Sequence, residues 1–229
     1  MFKINNFRLK NIILQNPFIF SLIQVTTSFI NIFFLNWLSN EYSFEVIGFI
    51  SFILSFAAVP VSIIGIGFDQ LIIIHIANKS KTISEIASLN FSSRIFTIIP
   101  MIIISSILLN LKINNIFACF LLSTEILKVL ISFELLDQMK VTYITPITAF
   151  IEKLTLFILV KYLLIDISFN MVLIYYSLIQ LISTLILLVI LKKLIPKLKV
   201  QYSFSKIKIE IFNALKSIPN ILSQLSFGN

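Results

Sequence analysis

Residues 116–165 read IFACFLLSTEILKVLISFELLDQMKVTYITPITAFIEKLTLFILVKYLLI, and their reading decides the fold. Two apolar runs are joined by the polar turn 137–140, DQMK. Each run is long enough to cross a bilayer, for which about 20 helical residues suffice. Yet the first holds Glu125, Lys128 and Glu134, and the second holds Glu152 and Lys153. A charge at mid-bilayer costs about 3 kcal/mol even on a lenient insertion scale. Whatever offsets that cost bears on function.

The rest of the chain has the same character. Of 229 residues, 58% are hydrophobic and 12% charged, and the mean hydropathy is +1.02. A water-soluble domain of this size has no interior that could hold so much apolar surface. The expected solvent is lipid, and lipid offers polar backbone groups no partner, so helices are expected. The fold class predicted is an all-α integral membrane protein. With 4 glycines in the chain, close glycine-mediated helix crossings should be few. The net charge of +8 is read for topology before nucleic acid, and no nucleic-acid partner is expected. The single cysteine, Cys119, reads as a small core residue. A basic lead of Lys3, Arg8 and Lys10 precedes the first apolar run, but the first alanine is Ala57. No A-x-A cleavage site precedes it, and the first segment is expected to stay as an anchor.

Six spans are expected, at about 17–38, 46–68, 95–111, 116–136, 141–165 and 171–191. The run 46–76 would reach about 46 Å as one helix, against a hydrocarbon core of about 30 Å. Residues 69–77 are therefore an interfacial extension, with Pro60, Gly65 and Gly67 offering a bend. A basic cytoplasmic linker, 192–208, follows the sixth span, and 209–229, with Pro219, reads as an incomplete seventh. With the N-terminus cytoplasmic, 13 of the 18 basic residues fall in inner segments, among them Lys79, Lys81, Arg94 and Lys140. Two, Lys112 and Lys161, fall in outer turns. That bias is the positive-inside signature.

Among the intramembrane charges, Glu125 and Lys128 are three apart and share a helix face. Glu152 and Lys153 are adjacent and point about 100 degrees apart. Two readings stay open. The charges pair between spans 4 and 5 and fix their packing, or they line a hydrated path. In the second reading Lys128 and Lys153 suit an anionic substrate, with Glu125 and Glu152 as counter-charges or a cation site. Glu134 reads as a hydrated helix end. Asp69 is expected to cap, or to pair with Lys79 or Arg94. His75, the only histidine, reads as a packed interfacial residue and not a metal ligand.

Enzyme motifs are lacking. Gly65-Ile-Gly67 has no third glycine and no strand–helix setting, so it is no dinucleotide motif. Asp69, Asp137 and Asp166 are isolated, which gives a prenyl transferase no paired carboxylates for Mg²⁺ and diphosphate. The outer turns are too short for a polysaccharide polymerase, and the inner loops too short for the membrane part of an ATP-driven transporter. No P-loop is present. No catalytic residue, metal or cofactor is expected.

Three stretches carry a family likeness. Residues 41–81, EYSFEVIGFISFILSFAAVPVSIIGIGFDQLIIIHIANKSK, step from an outer turn into a span that ends on Gly-x-Gly and Ala-Asn. Residues 133–160 contain a glutamine-x-lysine turn between spans 4 and 5. Residues 214–226, ALKSIPNILSQLS, place a proline in a Ser/Leu-rich helix after the basic linker. In these features the chain resembles the N-terminal half of a Wzx-type O-antigen flippase, in the polysaccharide-exporter branch of the MATE-like superfamily. The resemblance implies a six-helix N-terminal lobe plus the start of helix 7, in a bacterial cytoplasmic membrane. It implies translocation of an undecaprenyl-diphosphate-linked oligosaccharide for O-antigen or capsule synthesis. It further implies lysines that greet the diphosphate, with Lys153 first by position and Lys128 second. Members have two lobes, so the expectation is a piece of a longer exporter, with a C-terminal lobe and other polysaccharide assembly proteins as partners. A MATE-type drug or metabolite exporter is the first alternative, and a membrane enzyme of polysaccharide assembly the second.

Overall fold

In a computed structural model, residues 17–78, 81–163, 168–200 and 203–227 are described. The basic lead with Lys3, Arg8 and Lys10, together with Lys79 and Asp166, lies outside the described residues. Among the described residues there are helices and no strands, as lipid-soluble backbone requires. The elements are α1 (Pro17–Glu41), α2 (Phe44–Ala77), α3 (Ile83–Ile113), α4 (Ile116–Leu127), α5 (Phe133–Gln138), α6 (Ile144–Ile158), α7 (Phe169–Leu194) and α8 (Phe204–Phe227). A 3₁₀ turn, Lys128–Leu130, follows α4, and a π-helical turn, Leu159–Leu163, follows α6.

Five helical stretches are long and apolar enough to cross a bilayer: Phe18–Glu41, Phe44–Ala77, Ile83–Ile113, Ile116–Gln138 and Phe169–Leu194. The expected span 141–165 is not among them. Its α-helix has 15 residues and carries Glu152 and Lys153. The described residues are thus all-α and suited to a lipid bilayer, with five such helices among them; six spans were expected, and the end of the fifth, 164–165, lies outside the described residues.

Local chemistry sets the helix ends. The third helix begins at Ile83, twelve residues before the expected span start at 95, because Thr82 and Glu85 form a capping box. The Thr82 backbone N–H donates to Glu85 Oε2 at 2.8 Å, and the Glu85 N–H donates to Thr82 Oγ1 at 3.4 Å. At the other end Asn114 closes α3 in the left-handed region, with φ of 50°. Asn115 then opens α4 by accepting the N–H groups of Phe117 and Ala118 at 2.9 and 3.1 Å. Two adjacent asparagines so make the whole turn.

The polar residues of α1 show how the chain meets lipid. Phe18, Leu22, Val25, Phe29, Ile32 and Phe33 are all more than half exposed. Such an apolar stripe favours a hydrocarbon surrounding. The hydroxyls of Thr26, Thr27 and Ser28 donate to the carbonyls of Leu22, Ile23 and Gln24, four residues back. They need no partner outside their own helix.

The described residues form two compact units. One comprises 17–52 and 136–187, and packs α1 on α6. Its interior includes Phe34, Leu38, Leu156, Val172, Leu173 and Tyr176, with Phe34 edge-on to Tyr176 at 6.2 Å between centroids. The other comprises 53–135 and 188–227, and packs α3 against α4 and α8. Its interior includes Ile64, Phe68, Ile72, Ile86, Ile98 and Leu121.

The second unit also contains the one close approach that uses a glycine. A Cβ built on Gly67 would lie 2.9 Å from the Ala214 carbonyl oxygen of α8, whereas one on Gly65 meets nothing within 4 Å. Of the two glycines expected to matter structurally, Gly67 carries the packing role. The helix also continues through Pro60, which lies inside α2. Gly67→Val should therefore destabilise the protein by about 1–3 kcal/mol through overpacking. Gly65→Val should change stability by less than about 1 kcal/mol. Thermal unfolding of both variants in detergent checks this, and equal midpoints would refute the close contact.

Candidate functional site

The first unit places Glu152 and Lys153 against α7. Every third or fourth residue of that helix is polar on one side, and Tyr176, Ser177, Gln180 and Thr184 are all buried. Glu152 is 5% exposed and accepts a hydrogen bond from Ser183 Oγ at 2.7 Å. Lys153 is half-buried, donates to the Tyr176 hydroxyl, and places Nζ 4.3 Å from the Tyr176 ring centroid. Adjacent on α6, the two charges thus diverge and find separate partners one helix turn or more apart on α7. A carboxylate accepting a hydroxyl and an ammonium over a tyrosine are both ways to hold charge away from water.

A cleft of about 170 Å³ opens between α6 and α7. Glu152 and Ser183 lie in its lining, among Thr148, Thr155, Ile151 and Ile182. The carboxylate is thus the charged group of an otherwise apolar cleft.

Glu125 and Lys128 belong to the second unit. They pair with each other, with Nζ 3.4 Å from Glu125 Oε2, as their spacing predicts. Lys128 begins the 3₁₀ turn, so this pair sits where the fourth expected span stops being a continuous α-helix.

That break is held by a residue counted in sequence among the inner charges and offered there as a partner for Asp69. Arg94 is 1% exposed inside α3. Its Nη2 donates to Asp69 Oδ1 at 2.6 Å, its Nη1 to the Val129 carbonyl at 2.6 Å, and its Nε to Asn90 Oδ1 at 2.7 Å. Asn90 in turn donates to the Phe68 carbonyl at 2.9 Å. Ser132 donates to the same Asp69 oxygen at 2.5 Å and accepts the Leu135 N–H at 3.2 Å, which starts α5. The Val129 carbonyl lies in the tight turn, and Ile131 leaves it with extended backbone. A carbonyl released from helix in an apolar setting needs a donor, and the guanidinium supplies one. Asp69 thus takes Arg94, one of the two partners anticipated for it.

A further polar group gathers at the end of α2. His75 Nε2 lies 2.9 Å from Glu210 Oε1 of α8, and Glu210 is 3% exposed. His75 is packed there, as expected, but with a charged partner that the sequence reading did not single out. A pocket of about 330 Å³ beside them is lined by Lys81, Glu85, Leu89, Lys206, Ile209 and Asn213 as well. Among the described residues, no group of three or more His, Cys, Asp or Glu could hold a metal ion.

No protein-family model, curated protein or solved structure matches the chain.

Proposed function

We propose that the chain is a lobe of a flippase that carries undecaprenyl-diphosphate-linked oligosaccharides across the bacterial cytoplasmic membrane. The observation that carries this reading is Lys153, an ammonium held half-buried on the polar side of α7 in a unit suited to lipid. A diphosphate offers an ammonium strong, charge-assisted hydrogen bonds. The motif resemblance at 41–81, 133–160 and 214–226 supports the same substrate class. In this reading the N-terminus is cytoplasmic, lobes rock about a midplane site, and no covalent step is needed. The polyprenyl tail stays in lipid while the headgroup passes.

One observation favours a second reading. The apolar cleft of isoleucines and threonines, with the buried Glu152 carboxylate in its lining, has the chemistry of a site for an amphiphilic cation, as in a drug exporter. Deletion of the reading frame in its native host separates the two. The flippase reading expects loss of surface polysaccharide and accumulation of lipid-linked oligosaccharide on the inner leaflet. Unchanged polysaccharide with loss of cationic-dye efflux would replace it with the second reading.

A further inference from the structure

The pocket at the end of α2 is a built site with no role in the reading above, and we infer that it binds the phosphate headgroup of a membrane lipid. Its position follows from helix length. α2 has 34 residues and α3 has 31, so they reach about 51 and 46 Å, against a hydrocarbon core of about 30 Å. When their apolar middles occupy the core, the last turns of α2 and the first turns of α3 stand at headgroup level. His75 and Glu85 lie on those turns, and Lys81 lies in the connection two residues before α3.

The α8 wall of the pocket is fixed in two ways. His75 bonds the buried Glu210, and the Gly67 backbone admits Ala214. Lys206, Ile209 and Asn213 are thereby presented to a preformed space of about 330 Å³.

The charges in the pocket are unequally engaged. Glu85 caps α3 through Thr82, and Glu210 takes His75. Lys81 and Lys206 are exposed, and neither forms an ion pair among the described residues. Two ammoniums at headgroup level, both near enough to bear on the Glu85 carboxylate yet within ion-pair distance of no acid among the described residues, recognise a phosphate ester with the Asn213 amide as a further donor. Leu89 and Ile209 give the adjoining apolar surface that an acyl or prenyl chain would follow. The inference holds for any substrate the chain moves, and does not rest on the flippase reading.

Native mass spectrometry of the whole chain in detergent tests it, with added phosphatidylglycerol, phosphatidylethanolamine, polyprenyl phosphate or phosphate-free diacylglycerol. At least one phosphate lipid should be retained over diacylglycerol. Lys81→Gln combined with Lys206→Gln should weaken that retention about tenfold or more. Lys197→Gln with Lys199→Gln, two exposed lysines outside the pocket lining, should leave it unchanged. Preference for polyprenyl phosphate would assign the site to a carrier lipid, and preference for either phospholipid to the bulk leaflet; both support the inference. Diacylglycerol retained equally, retention unaltered by the pocket pair, or equal loss in the control pair would overturn it. All substituted lysines are exposed, so unfolding does not confound the comparison.

Discussion

Arg94→Leu should lower the thermal unfolding midpoint in detergent by on the order of 10 °C, the largest stability effect expected from one substitution in this chain. The guanidinium is 1% exposed and makes three hydrogen bonds at 2.6–2.7 Å, to Asp69, Asn90 and the Val129 carbonyl. Leucine fills part of the volume but leaves an aspartate without its cation and a turn carbonyl without its donor. Removing one partner of a buried pair costs about 3–5 kcal/mol, which in a chain of this size is roughly the stated shift. The Asp69 side chain is 29% exposed, so water can hydrate it in part, and the effect should fall at the lower end. Arg94→Lys should lie between, since one ammonium cannot span three acceptors set for a planar fork. Asp69→Asn keeps an acceptor for both Arg94 and Ser132 and should cost less than Arg94→Leu. An unchanged midpoint for Arg94→Leu would mean that the 128–132 break is held by something else.

That network also shows where the sequence stopped being readable. The bilayer setting follows from composition, and the Glu125–Lys128 pair from a spacing of three. These are local properties. The break in the fourth expected span is not local. The stretch LKVLISF contains neither proline nor glycine, and nothing in it marks residue 128 as the end of an α-helix. The turn exists because Arg94, 35 residues earlier, can satisfy the Val129 carbonyl. For the same reason the sequence offers Arg94 as a partner for Asp69 but not for the Val129 carbonyl.

Other features were legible but went unread. Thr82-Ile-Ser-Glu85 is a capping box in plain sequence, and recognising it would have started α3 at Ile83. Tyr176, Ser177, Gln180, Ser183 and Thr184 recur at helical spacing and mark the side of α7 that receives Glu152 and Lys153. The His75–Glu210 pair was not accessible in this way. It joins residues 135 apart, and Glu210 sat in a segment read as the mere entry to another span.

Lys153→Ala should impair export more than Lys128→Ala does, and this contrast follows from what each lysine would leave behind. Lys128 is paired with Glu125 at 3.4 Å on its own helix, so the local field at that site is already largely cancelled. Lys153 meets a tyrosine hydroxyl and ring on α7, which hold its ammonium in place. In the flippase reading it is this positioned ammonium that meets the diphosphate. Loss of a charge-assisted contact to a desolvated anion costs about 2 kcal/mol or more, which corresponds to roughly thirtyfold in substrate affinity. Surface polysaccharide staining in a flippase-deficient strain complemented with each variant gives the ranking. Tyr176→Phe refines the test: it removes the hydroxyl but keeps the ring, so Lys153 keeps its charge and loses one guide to its position. Export in Tyr176→Phe should fall less than in Lys153→Ala. Full export with Lys153→Ala would remove that residue from the transport site, and a defect confined to Lys128→Ala would move the site to the second unit.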